Sequence, residues 1–134
     1  MHKPTAINEH LLLSEFEGKG VSVHLKREDL VFPLASGNKW RKLNYNFKAL
    51  KDSSAKGILT FGGAYSNHLA AAAALAAQEQ IPIVGIVRGE ELANKPLNPT
   101  LTQCQGNGMK LVFVTRAEYK LKALGETVCQ LVAA

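Results

Sequence analysis

The chain has only two cysteines, Cys104 and Cys129, which form neither a CxxC pair nor a metal-site spacing. That excludes a disulfide framework and a thiolate metal site, and the reading is of two reduced thiols in a cytoplasmic protein. The four histidines (His2, His10, His24 and His68) are scattered, with no second ligand at metal-site spacing, so no metal is expected. No apolar run approaches the roughly 18 residues that a membrane span requires, which argues against a membrane protein. The opening Met1-His2-Lys3-Pro4-Thr5 has no apolar stretch of the kind found in secretory leaders. Neither the dinucleotide fingerprint GxGxxG nor a GxxxxGKS/T phosphate loop is present, which weighs against an ordinary nucleotide-binding protein. The net charge of +5 is mild. It is not gathered into a tail or a basic helix with interleaved aromatics, so nucleic acid is not an expected partner. There is no internal repeat, low-complexity segment or linker.

What is present is a chain of 134 residues, 46% hydrophobic and 20% charged. That suffices for one domain with a real core and argues against disorder. Its pattern alternates strands and helices. Residues 21–26 alternate like a strand, and a loop with Pro33 runs from Glu28 to Ala35. A helix is predicted from Gly37 to about Lys51, capped by Ser36, with Trp40, Leu43, Phe47 and Leu50 on one face. Residues 57–61 form a short apolar strand, and a helix follows from Ser66 to Gln80. Residues 81–87 read as a buried strand with Pro82 near its start. Asn98 caps a helix with Pro99 at its first position, closed by Gly106-Asn107-Gly108. A strand over 109–115 and a helix from Ala117 to about Val132 complete the order. Such apolar strands joined by helices predict an α/β fold: an open, mostly parallel sheet with helices on both faces. In the helix over 69–77 nearly every residue is small, which suits close packing on a sheet. The final Leu131-Val132-Ala133-Ala134 is apolar and uncapped, as at a frayed terminus or the cut end of a longer protein.

Two stretches carry the chemistry. In Ser36-Gly37-Asn38-Lys39-Trp40-Arg41-Lys42-Leu43, three cations fall in the first turns of a helix. The helix dipole favours anions there and disfavours cations. Neighbouring cations and the dipole both lower a lysine's pKa, which is a common way to make its amine nucleophilic. Lys39 is therefore the candidate nucleophile, awaiting a phosphate or a carboxylate. A solvated basic face is the competing reading. The second stretch is Phe61-Gly62-Gly63-Ala64-Tyr65-Ser66-Asn67-His68. A strand that runs through two glycines into a helix leaves backbone N–H groups for an anion, and Ser66 and Asn67 add side-chain donors. An ordinary cap and tight turn would look the same, and His68 alone reads more readily as structural. In a parallel sheet successive βα turns lie on one edge, so the two stretches are expected to share a cleft.

Taken with Lys26-Arg27-Glu28-Asp29-Leu30, these two motifs resemble, in order and spacing, the 1-aminocyclopropane-1-carboxylate deaminases and D-cysteine desulfhydrases. These are pyridoxal-phosphate enzymes with the tryptophan synthase β-subunit fold, known as fold type II. The resemblance covers about residues 20 to 120. It implies pyridoxal 5'-phosphate as cofactor and a small amino acid as substrate. By motif, Lys39 matches the family's Schiff-base lysine, Asn67 the asparagine on the cofactor ring oxygen, and Lys42 a lysine near the cofactor phosphate. Ser66 matches a residue with a catalytic contact to substrate, and Asn67-His68 the place where the substrate carboxylate is held. Residues 1–35 correspond to a segment of the family's large domain and 36–134 to its small α/β domain. Family chains are more than twice this length. The glycine-rich phosphate cradle and the partner of the pyridine nitrogen lie in their second half. The expectation is thus the N-terminal part of such an enzyme, inactive alone, with homo-oligomerisation left open. The alternatives are a related amino-acid dehydratase and a non-catalytic α/β interaction domain.

Overall fold

The computed structural model describes residues 6–31 and 38–133. Its centre is a parallel sheet of β3 (Ile58–Gly62), β4 (Ile83–Arg88) and β5 (Lys110–Val114), in the order β3-β4-β5. Ile58 stands opposite Ile83, and Val84 opposite Lys110. The strands are rich in β-branched and aromatic side chains, which fit a pleated sheet covered on both faces.

Helix α1 (Asn38–Lys51) buries Trp40, Leu43 and Phe47 of the stripe predicted from the three-and-four spacing, and leaves its fourth member, Leu50, half-buried. The cap assigned to Ser36, and Gly37, lie outside the described residues. Helix α2 (Asn67–Glu79) starts at Ser66, whose hydroxyl oxygen accepts from the Leu69 N–H at 3.3 Å. Leu69 and every alanine from Ala71 to Ala76 are buried. Helix α3 (Pro99–Gly106) is capped by Asn98, whose Oδ1 accepts from the Leu101 N–H at 2.9 Å. These helices share one core, in which Trp40, Phe47, Leu69, Leu75, Leu101 and Met109 pack over Ile83 and Val87. Burial of each large side chain of this kind contributes about 1.5–3 kcal/mol. Lys51 and Glu79 pair to tie the last turns of α1 and α2 together. The opposite face holds a smaller core of Ile86, Val114 and Val128, flanked by Leu59, Phe61 and Tyr119. The expected α/β sheet with helices on both faces is therefore what the chain forms.

Two elements differ from expectation. The first predicted strand is β2 (Val23–Arg27), and it does not join the parallel sheet. It pairs antiparallel with β1 (Ile7–Leu11), with His10 opposite His24. Arg27 fastens this pair through Glu9 at 2.8 Å and Asp29 at 2.7 Å. The last helix is not continuous. It consists of α4 (Arg116–Leu121), a 3-10 turn over Lys122–Leu124, and α5 (Glu126–Ala133). Lys122 takes a positive φ of 52°, which ends α4. The Glu118 carboxylate then accepts from the Thr127 N–H at 2.8 Å and so starts α5. Among the described residues no helix is long and apolar enough to cross a membrane.

Candidate functional site

The C-terminal edge of a parallel sheet is where open α/β folds place ligands. Here β3 ends at Gly62, which is buried. A Cβ on Gly62 would fall 2.5 Å from Leu69 Cγ and 2.8 Å from Ser66 Cβ. The absence of a side chain is what lets the strand pass directly over the first turn of α2. Gly63 is open by contrast, since a Cβ there would meet nothing nearer than Arg88 Nη2 at 3.9 Å. The turn is pinned from α3: Asn98 Nδ2 donates to the Ala64 carbonyl at 3.0 Å. One asparagine thus caps α3 and holds the glycine turn.

The first turn of α2 presents Ser66, Asn67 and His68. The Ser66 oxygen serves as helix cap, which leaves its O–H proton free to donate elsewhere. Asn67 is exposed and His68 is half-buried. His68 Nε2 lies 2.8 Å from the Thr60 hydroxyl on β3. The His68 pKa is held below its usual value, first by burial and then by the ammonium of Lys39. That field links the two sequence motifs, running from the α1 lysine to the α2 histidine.

Their meeting has a different cause from the one the sequence suggests. With β2 outside the parallel sheet, the two turns are not successive βα turns on one edge. They adjoin because α1 lies against α2 in the shared core. Within the cation cluster, Lys39 is half-buried and Lys42 exposed. Arg41 is neutralised, since its Nε donates to Glu28 at 2.6 Å, and Glu28 also meets Lys26 at 3.2 Å. The hydrogen bond from Arg41 holds the Glu28 carboxyl below the usual carboxylate range. Among the described residues no carboxylate pairs with Lys39. The cluster therefore reduces to one half-buried lysine beside a histidine, with Lys42 on the rim.

Residue-by-residue reading passed over Thr60, the second role of Asn98, and the grip of Glu28 on Arg41. A signal for Thr60 existed: it is the one polar residue in the strand Ile58–Gly62.

No protein-family model matches the chain. A Thermotoga maritima protein provisionally named 1-aminocyclopropane-1-carboxylate deaminase is 32% identical over 119 residues, 88% of this chain and 36% of its own. The enzyme of that name from Bradyrhizobium diazoefficiens is 41% identical over 76 residues, 56% of this chain and 23% of its own. By sequence, the chain is similar to the 1-aminocyclopropane-1-carboxylate deaminases. A rice protein provisionally named D-cysteine desulfhydrase 2, mitochondrial, is 40% identical over 65 residues, 48% of this chain and 16% of its own. In structure, an ACC deaminase homologue superimposes with a TM-score of 0.73 at 22% identity, over 96% of this chain and 38% of that one. The fold is therefore that of a fold-type II enzyme, as the motifs led one to expect. The chain spans about a third or less of the length of these curated relatives.

Proposed function

We propose that the chain carries the lysine-bearing part of a pyridoxal-phosphate site that deaminates a small amino acid of the 1-aminocyclopropane-1-carboxylate or D-cysteine type. The observation that carries this reading is that α1, which bears Lys39, packs against α2, whose first turn carries Ser66, Asn67 and His68 beside the open glycine turn. The donor set fits the group: a half-buried primary amine to hold an aldehyde, and a βα turn suited to anions at the start of the helix packed against α1. Bound here, pyridoxal phosphate would supply an aldehyde to condense with amines and a ring that accepts electron density from the substrate carbon. Lys39 would hold it, with Asn67 and Lys42 as further contacts. Ser66, Asn67 and His68 would take the substrate side, where a carboxylate needs N–H and O–H donors. The Lys39 amine, when not holding the cofactor, would be the base to move a proton at the substrate carbon. Ammonia and a keto acid are the products, with sulfide as well for D-cysteine.

Residues 36–134 make the small domain in this reading, and the separate β1–β2 ladder belongs to the large one. The phosphate cradle and the pyridine-nitrogen partner that the family uses are not among the residues assigned here. The 134-residue polypeptide by itself is accordingly expected to turn over little or no substrate. The decisive experiment is to add pyridoxal phosphate, reduce with borohydride, and map the adduct by mass spectrometry. A dominant adduct on Lys39, lost in Lys39→Ala, is expected. Labelling spread evenly over the surface lysines would overturn the assignment. Ammonia release by the isolated chain, abolished by Lys39→Ala, would overturn the expectation of inactivity.

A further inference from the structure

Thr60 interrupts an otherwise apolar strand. Its hydroxyl meets His68 Nε2 at 2.8 Å in a half-buried setting, and the imidazole makes no other hydrogen bond among the described residues. Lys39 is the charged group whose field reaches the ring. Burial first, and then the field of the Lys39 ammonium, disfavour a protonated imidazole, so the neutral form of His68 is the favoured one. A neutral imidazole has one N–H and one lone pair, and the neighbour of one nitrogen decides the role of the other. A hydroxyl, unlike a carbonyl, can donate, so Thr60 can satisfy the Nε2 lone pair and leave the ring proton on Nδ1. The opposite arrangement would leave a bare lone pair on Nδ1, which repels a carboxylate.

We propose that Thr60 is a positioning residue that holds His68 in the Nδ1–H tautomer, so that Nδ1–H donates to the carboxylate of the amino-acid substrate. The inference rests on the reading of the first turn of α2 as the place where the substrate carboxylate is held. It requires no cofactor, and so its failure and the failure of the cofactor reading can be told apart.

The test is NMR of the 134-residue chain with ¹⁵N-labelled histidine, in wild type, Thr60→Val and Thr60→Ser. In wild type and Thr60→Ser, His68 is expected to show a protonated Nδ1 and an unprotonated Nε2. Acetate, used as the carboxylate probe, is expected to shift the Nδ1 signal. In Thr60→Val the ring should show averaged tautomer shifts, and the apparent acetate affinity should fall about fivefold, the weight of one ordinary hydrogen bond. A protonated Nε2 in wild type would overturn the proposal, whatever the variants do. So would a Thr60→Val ring indistinguishable from wild type, or an Nδ1 signal that ignores acetate. Borohydride trapping on Lys39 reports on the cofactor reading separately: loss of that adduct with the Nδ1–H pattern and acetate response intact sinks the cofactor reading and not this one.

Discussion

Gly62→Ala is the substitution in which fold and site are most directly coupled. The new methyl would stand 2.5 Å from Leu69 Cγ, 2.8 Å from Leu69 Cδ1 and 2.8 Å from Ser66 Cβ. Ordinary carbon–carbon contact is about 3.5–4.0 Å, so relief needs a movement of roughly 1 Å. Leu69 is fully buried among the α2 alanines and has nowhere to swing. Ser66 Cβ is fixed by the backbone that caps α2. The first turn of α2 must therefore shift, and with it Asn67 and His68. Overpacking of this kind costs about 1–3 kcal/mol. With a urea slope of about 1–3 kcal/mol per molar, the unfolding midpoint should fall by roughly 1 M. Trp40 fluorescence reports the transition, since Trp40 is the chain's single tryptophan and lies in this core. Gly63→Ala is the matched control, because its Cβ meets only Arg88 Nη2 at 3.9 Å. Its effect should stay within about 0.5 kcal/mol. Equal losses at both glycines, or a loss below about 0.5 kcal/mol at Gly62, would refute the claim that close passage over α2 makes Gly62 necessary.

Asn98 offers a way to separate its two jobs. Asn98→Asp keeps the oxygen that caps Leu101 but loses the amide that holds the Ala64 carbonyl. It should cost less in urea unfolding than Asn98→Ala, which also loses the cap, worth about 1 kcal/mol. Both variants should perturb the NMR signals of residues 63–66, and an unperturbed turn in Asn98→Asp would show that the clamp is idle. The pH dependence follows from His68, whose folded pKa lies below the ordinary 6.5. The unfolded chain binds this proton first, so the stability tied to neutral His68 is complete above 6.5 and falls as pH drops toward the folded pKa. His68→Gln should flatten that part of the stability curve in urea titrations at stepped pH, and an unchanged slope would contradict the assignment.

Much of the α/β unit was legible because its signals are local. The Trp40, Leu43, Phe47 stripe, the Ser66 cap and the Asn98-Pro99 start each depend on residues within one or two turns. The hairpin-like pair was not legible for the opposite reason. Ile7-Asn8-Glu9-His10-Leu11 does not alternate, and four of its five residues are exposed. Its strand character comes from pairing with β2, more than ten residues away. The break near Lys122 was hidden because a buried glycine and the reach of Glu118 to Thr127 override an otherwise helical pattern. In the candidate site, Lys39, Ser66, Asn67 and His68 were visible as chemistry-bearing residue types in two motifs. Their partners were less so: Asn98 and Glu28 act across elements with nothing in their own neighbourhoods to announce it, and Thr60 stands out only as the one polar residue of β3.

The alanine run of α2 gives these cross-element contacts a common cause. Ala72, Ala73 and Ala76 are wholly buried, and a helix with methyls on its inner face can lie close against a sheet. A helix with leucines there would stand farther off, as ridge-and-groove packing requires. Only a close helix lets a histidine on its first turn reach a threonine on the adjoining strand with a direct hydrogen bond. The same closeness demands glycine where β3 passes over that turn, since any side chain at 62 would enter Leu69. It also seats α1 against α2, and the Lys39 ammonium on α1 helps to lower the His68 pKa. What reads in the sequence as featureless packing is thus the condition for the site: small residues set the spacing, the spacing excludes a side chain at Gly62, and the helices that bear the two motifs then pack together.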